Sequence, residues 1–205
     1  MRRMAVIAAS VLALSQGEAF AFSVAIGTGT RAIYLQVGIG SFSGLYSSGG
    51  TPQNNSTINL VSVTVPAASV GSGTAQAMTS NSTQSNSFYD NFAFCSPPAQ
   101  VYIGGFFRLP GAVGTATLSV TTAANLTNAS GDTIPFTQIS WTSTGAGDTG
   151  AEAIPAGAFT GATQTLTTFS VNRWNESCHT FSYANAANVA SGTYTGRATY
   201  TLSAP

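Results

Sequence analysis

Charge is scarce in this 205-residue sequence, and lysine is absent altogether. Charged residues make up 6% of the chain, six arginines against six acidic residues, with a single histidine. Proteins that bind nucleic acids or anionic lipids neutralise phosphates with clusters of Lys and Arg. No such cluster occurs here, so we predict no nucleic-acid partner and no electrostatic docking to a membrane.

Long apolar runs are also missing, except near the N-terminus. Arg2 and Arg3 precede an apolar run over residues 4–15, and Ala19-Phe20-Ala21 forms a small-x-small cleavage motif. This pattern is typical of a secretory signal peptide, and the run is shorter than the roughly 20 residues that a membrane-spanning helix needs. We predict a signal peptide over residues 1–21. The mature chain, 22–205, is then secreted to the periplasm or the extracellular surface without a membrane span.

Cysteine is limited to Cys95 and Cys178. Disulfides form in the oxidising compartments that exported chains reach, so we predict one disulfide between these two residues. For a loop this long the chain-entropy model gives about 4–5 kcal/mol of stabilisation. Two free thiols, or a metal-binding or nucleophilic pair of Cys178 and His179, are the alternatives.

Helix signals are nearly absent, whereas short alternating apolar runs recur along the whole chain. In 115–122, for example, Ala116, Leu118 and Val120 alternate with hydroxyl residues. Side chains of a strand point alternately to opposite faces, so this pattern predicts strands with one buried and one wet face. We predict an all-β chain forming a single antiparallel β-sandwich domain of the immunoglobulin-like kind. A closed β-barrel is the alternative.

The clearest strand pattern lies in residues 165–205. In 192–203, Tyr194, Ala198, Tyr200 and Leu202 occupy one parity, and polar residues occupy the other. Residues 164–171 and 177–184 predict two further strands. We expect these three strands to form the sheet onto which the rest of the chain closes.

Five upstream segments carry further strand patterns. Residues 32–39 place Ile33, Leu35, Val37 and Ile39 on one parity. Residues 100–109 contain Gly104-Gly105, a pair that indicates a bulge or a close backbone approach. The other predicted strands are 57–65 with three valines on one side, 88–94 with three phenylalanines on one parity, and 134–142 with Trp141 in the core.

Residues that could carry catalysis are few and scattered. His179 follows Cys178 in a predicted strand, which favours a half-exposed structural side chain over a catalytic one. Asp148 and Glu152 share a glycine-rich loop, in which turn chemistry is favoured over a Ca²⁺ site. Neither a Gly-x-Ser-x-Gly motif nor a phosphate loop occurs. We therefore predict that the protein is not an enzyme and holds no metal or cofactor.

Trp174 and Arg173 are the candidate ligand contacts. They precede Asn175-Glu176 in a polar stretch, where an exposed indole could stack on a sugar ring or anchor a partner. The alternative, which the sandwich architecture favours, places Trp174 in the core at the end of a sheet.

Residues 192–202, Gly-Thr-Tyr-Thr-Gly-Arg-Ala-Thr-Tyr-Thr-Leu, resemble the terminal strand of secreted bacterial pilin-like domains. These domains are the spore coat U and archaic chaperone–usher group. The resemblance implies an incomplete immunoglobulin-like sandwich that a strand from a neighbouring subunit completes in a surface fibre. The widely separated cysteines depart from that group, whose members typically carry one cysteine near the N-terminus.

Together these patterns predict an exported, non-enzymatic structural or adhesive protein of the bacterial surface or periplasm, with a fibre subunit as one form. Its expected partners are copies of itself or neighbouring surface subunits, and a glycan is a further candidate. A carbohydrate-binding module with exposed aromatic rings and a secreted hydrolase with paired acids are the alternative functions.

Overall fold

The computed structural model describes residues 23–147 and 150–205, and these are almost entirely β-structure. The predicted signal peptide lies outside the described residues. Within them no helix is long and apolar enough to cross a membrane. The strands are β1 Ser23–Ala25, β2 Ala32–Val37, β3 Phe42–Ser43, β4 Thr51–Pro52, β5 Val61–Ser62, β6 Gln76–Ala77, β7 Thr79–Ser80, β8 Val101–Arg108, β9 Thr115–Thr122, β10 Asn125–Thr127, β11 Thr133–Pro135, β12 Ile139–Thr144, β13 Gly157–Ala158, β14 Thr163–Ser170, β15 Arg173–Tyr183 and β16 Ala198–Ser203, with 3-10 helices at Tyr46–Ser48, Ala67–Ser69 and Phe136–Gln138.

Two sheets form an antiparallel β-sandwich, as predicted. The large sheet has seven strands, in the order β13-β12-β15-β8-β2, with β1 and β6 also paired to β15. The small sheet has three strands, in the order β14-β9-β16. Over the described part of the chain neither sheet closes on itself. The end strands β13 and β2 of the large sheet do not pair with each other, and neither do β14 and β16 of the small sheet.

Apolar side chains from the two sheets meet in a continuous core. Ile103 on β8 contacts Leu118 on β9 and Phe169 on β14, and all three are fully buried. Ala116 and Val120 are buried beside Leu118, which confirms the alternation predicted for this strand. Burial of this kind contributes most of the favourable free energy of folding.

The three C-terminal strands do not form one sheet, contrary to expectation. β14 and β16 flank β9 in the small sheet, whereas β15 lies at the centre of the large sheet. Asn172, at φ 56°, turns the chain between β14 and β15. Its side chain accepts a hydrogen bond from the Leu109 amide and donates one to the Gly111 carbonyl. This turn carries the chain from one sheet to the other, which sequence alternation cannot reveal.

Part of the outer face of the large sheet, at β2, β8 and the first half of β15, is also buried, by residues 42–48 and 85–95, which we call the cover segments. Phe42 and Phe88 stack on each other at 5.5 Å, and Tyr46 lies 5.3 Å from Trp174 between ring centroids. Beneath them lie Tyr34, Phe106 and Trp174 of the sheet. The single apolar parity predicted for 32–39 therefore does not describe which residues are buried. Tyr34 and Gln36 are buried on the opposite face, and Ile33 is 48% exposed.

Two predicted strands are largely irregular. The segment 57–65 is a strand only at Val61–Ser62, although its three valines do pack against the core. The segment 88–94 is not a strand, because residues 88–90 form a turn and Asn91 adopts a left-handed conformation at φ 68°. Phe92 is 47% exposed, whereas Phe94 is buried.

The glycine pair in β8 marks a close backbone approach. A Cβ atom at Gly105 would collide with the carbonyl oxygen of Tyr34, and one at Gly104 would collide with the Tyr102 hydroxyl. The pairing of β8 with both neighbours runs through these residues without a register shift. The glycines therefore let β2 and the Tyr102 ring lie close to the strand, and they do not form a bulge.

Candidate functional site

Trp174 is fully buried beneath the cover segments. Its ring lies 5.6 Å from that of Phe106, and its indole N–H donates a 2.8 Å hydrogen bond to Glu176. The structure thus places Trp174 in the core, the alternative that the sandwich favours. The buried indole presents no surface on which a ligand could stack.

Arg173 points to the opposite face of β15, as alternation requires, and is exposed. Together with Asn175 it lines an open depression of about 510 Å³. The Arg173 guanidinium donates a 3.4 Å hydrogen bond to the Ser23 carbonyl, and the Ser23 hydroxyl donates a 3.0 Å bond to Asn175. The two candidate ligand contacts therefore lie on different faces of the sheet and do not act together.

Glu176 is the centre of a buried polar cluster that the sequence pattern did not identify. Its Oε2 atom accepts hydrogen bonds from Ser87, Tyr102 and Trp174, at 2.8, 2.5 and 2.8 Å. Burial raises the pKa of this carboxyl to about 7, although the three donors oppose the shift. Because Ser87 belongs to a cover segment, the carboxyl links that segment to the sheet.

The disulfide between Cys95 and Cys178 is present, as predicted. It joins a cover segment to β15 on the same face as Trp174 and Glu176. His179 points to the other face and is fully buried, so the prediction of a half-exposed ring is wrong. The imidazole stacks on Trp141 at 5.6 Å, and burial lowers its pKa to about 4. The ring is therefore neutral and is separated from the sulfur atoms by the sheet.

The predicted acidic loop is only partly described, because Asp148 lies outside the described residues. Among residues 23–147 and 150–205, no three His, Cys, Asp or Glu side chains are grouped as metal ligands. Glu152 lies in an irregular segment after the gap. Glu176 and His179, two of the titratable groups on β15 whose pKa values burial shifts, occupy opposite faces of the sheet.

The outer face of the small sheet is composed entirely of hydroxyl residues. Its eleven outward side chains are eight threonines and three serines, and each is exposed or partly exposed. Strand pairing aligns them in four rows across the sheet. The rows are Thr163–Thr121–Thr199, Thr165–Ser119–Thr201, Thr168–Thr117–Ser203 and Ser170–Thr115.

This hydroxyl face, as we call these eleven residues, carries no charge and no aromatic ring. One cross-strand contact joins the Thr121 and Thr163 hydroxyls at 2.9 Å. The sequence indicated a solvent-facing parity for residues 115–122 and 192–203, but not for 164–171, and not that these strands lie side by side. A signal was present in the Thr-x-Thr pattern, which occurs in β9, β14 and β16 at residues 115–117, 163–165 and 199–201.

Comparison of the chain with protein-family models, with curated proteins and with solved structures gave no match.

Proposed function

We propose that this chain is an exported, non-enzymatic structural or adhesive protein that acts through surface contact. The hydroxyl face carries the proposal, because its eleven exposed or partly exposed side chains are aligned across three strands and none of them is charged. An uncharged face meets little electrostatic repulsion from a similar surface. It can therefore lie against a neighbouring copy or a neutral material at any ionic strength.

The disulfide supports export. Disulfides persist in secreted and periplasmic proteins and are rare where thiols are kept reduced. The N-terminal sequence, with its basic start, short apolar run and Ala19-Phe20-Ala21 motif, supports the same route. Both observations favour a protein of the bacterial surface or periplasm.

The arrangement of titratable groups supports a non-enzymatic role. A general acid or base must reach the atom whose proton it transfers. Glu176 and His179 are both fully buried, and they face away from each other across β15. Neither group reaches the depression beside Arg173, whose lining residues are Ser23, Gly150, Ala151, Ala153, Thr168, Arg173 and Asn175.

A fibre subunit is the specific form that we favour. β14 and β16 are the edge strands of the small sheet, and among the described residues each is paired with β9 alone. Neither carries lysine, which commonly protects sheet edges against pairing with another chain. The resemblance of residues 192–202 to the terminal strand of pilin-like domains supports the same use. A strand from a neighbouring subunit could extend the sheet there.

Light scattering of the purified protein over a range of concentration and ionic strength tests the proposal. We expect association that rises with concentration and responds weakly to salt, because few charges are available to screen. Thr201→Lys on edge strand β16 should reduce association. Thr142→Lys, at an exposed position on β12, is the matched control.

A protein that stays monomeric at all concentrations and hydrolyses a substrate would refute the proposal. Loss of that activity on replacing Glu152 or Asp148 would identify the secreted-hydrolase alternative instead. A monomer that binds a glycan, with binding lost in Arg173→Ala, would establish the carbohydrate-binding alternative at the depression.

A further inference from the structure

The hydroxyl face is a two-dimensional net, and this regularity carries a further inference. Adjacent strands lie about 4.7–4.9 Å apart, and outward residues two positions apart on a strand are separated by about 6.8 Å. Hydroxyl groups therefore repeat in both directions, in three rows across all three strands and a fourth row across β9 and β14. β14 departs from the two-residue step between Thr165 and Thr168, where a bulge shifts its register. Since only three strands take part, sheet twist accumulates over two steps alone.

The net is held in place by the structure beneath it. Ala116, Leu118 and Val120 alternate with its central residues and are fully buried in the core. Threonine has a restricted χ1 angle, so each methyl and hydroxyl group has a preferred position. The hydrogen bond between Thr121 and Thr163 orders the net further. A ligand that matched this spacing would bind without a large loss of side-chain entropy.

The composition of the net identifies the class of ligand. It has no charge to attract an ion and no aromatic ring to stack on a sugar. It offers only methyl groups and hydroxyl groups that both donate and accept hydrogen bonds. The complementary surface is uncharged, repeats in two dimensions and presents hydrogen-bonding oxygens. The faces of an ice crystal have these properties.

We propose that the hydroxyl face binds ice. The threonine hydroxyls would occupy positions of lattice water oxygens, and the methyl groups would pack into the gaps between them. A single soluble sugar would contact only one or two rows, so it would not use the whole net. The inference rests on the proposed adhesive function and names the material to which the protein adheres.

Ice-affinity partitioning of the purified protein tests this assignment, together with thermal hysteresis and inhibition of ice recrystallisation. We expect the folded protein to concentrate in the ice fraction. Thr121→Tyr, in the middle of the row Thr163–Thr121–Thr199, should prevent close contact between the face and the ice lattice. We expect it to reduce partitioning about tenfold, which corresponds to about 1.4 kcal/mol. Thr142→Tyr, outside the net, should partition like the unchanged protein. Thr201→Tyr repeats the test on another strand in case Thr121→Tyr does not fold.

Absence of the folded protein from ice would overturn the inference, as would equal losses in Thr121→Tyr and Thr142→Tyr. Binding to insoluble cellulose or chitin, lost in Thr121→Tyr and without ice activity, would overturn ice in favour of a polysaccharide surface. Light scattering on the same samples separates the two proposals. Persistent association without ice binding would refute this inference alone, whereas loss of both would refute the proposed function as well.

Discussion

The two main sheets differ in how many of their faces are buried. In the small sheet one face packs on the core and the other meets solvent, and β9 alternates accordingly between buried apolar and accessible hydroxyl residues. In the large sheet both faces are covered at β8, which is buried at its first seven positions, whereas Ser140 and Thr142 of β12 are exposed on the outer face. A sheet with one buried face has strands whose alternating sequence reveals which side chains face the core. A sheet with both faces buried has strands that are apolar throughout, so their sequence reveals burial but not which face each side chain occupies.

The second buried face needs its own cover, and the chain supplies it from distant residues. Aromatic rings of the cover segments pack over Tyr34, Phe106 and Trp174. A disulfide and the Glu176 cluster attach these segments to β15. Substitutions on each face can therefore establish how far the two sheets differ.

The largest effect is expected in the small sheet, where one strand presents both environments. Leu118→Asp places an unpaired charge in the core, and the cost of burying it should prevent folding. Thr121→Asp, three residues along the same strand on the wet face, should change the unfolding free energy by less than about 1 kcal/mol. Circular dichroism and the yield of folded protein check the pair. Equal tolerance of both changes would contradict the assignment of faces.

Trp174→Ala tests whether the outer face of the large sheet is a true core. Removing a fully buried indole should destabilise the protein by about 3–5 kcal/mol, through lost burial and the cavity left behind. Urea denaturation measures the change, with Arg173→Ala on the exposed side as the control. A small effect of Trp174→Ala would mean that the cover segments contribute little to stability.

The double change Cys95→Ser and Cys178→Ser tests the covalent attachment of the cover. The closed loop spans 83 positions, and removal of a disulfide typically costs about 2–4 kcal/mol. We expect a lower melting temperature and faster proteolysis in residues 85–95. In the unreduced protein, alkylating reagents should label neither cysteine, and labelling of both would refute the disulfide.

Glu176→Gln should change how stability depends on pH. Burial raises the pKa of the folded carboxyl from 4.5 to about 7. The contribution of the carboxyl to the free energy of unfolding is therefore fully present below pH 4.5 and is lost as the pH rises to about 7. The loss is roughly 3 kcal/mol, at 1.36 kcal/mol per pKa unit. The variant stays neutral, so it should gain stability relative to the unchanged protein across this window. Denaturation at several pH values measures the difference.

His179→Phe is the control, because the pKa shift of His179 affects the pH dependence of stability in the opposite direction. Burial lowers the His179 pKa from 6.5 to about 4, so its contribution is present above pH 6.5 and is lost as the pH falls towards 4. Replacing the ring should remove this loss and leave the decline attributed to Glu176 in place. Parallel pH curves for Glu176→Gln and the unchanged protein would contradict the raised pKa of the carboxyl.

Predictions from the sequence were more accurate for the small sheet than for the large sheet and its cover segments. Strand β9 and the alternation of β16 were predicted correctly, because each has one apolar and one polar parity. Aromatic residues 88–94 were predicted to form a strand, although Asn91 turns the backbone there. His179 was predicted to be half-exposed, because nothing in its neighbours along the chain indicates the Trp141 ring that covers it.

By itself, the sequence determined the all-β class, the antiparallel sandwich and the pairing of the two cysteines, because alternation is a local property and only one cysteine pair is available. Tertiary structure alone decided which strands became neighbours. It divided the C-terminal strands between two sheets and buried Trp174 and Glu176 under distant segments. It also brought the solvent-facing residues of β9, β14 and β16 together in one hydroxyl face. The physical reason is that side-chain direction is set by local backbone geometry, whereas adjacency depends on turns and packing between residues far apart in the chain.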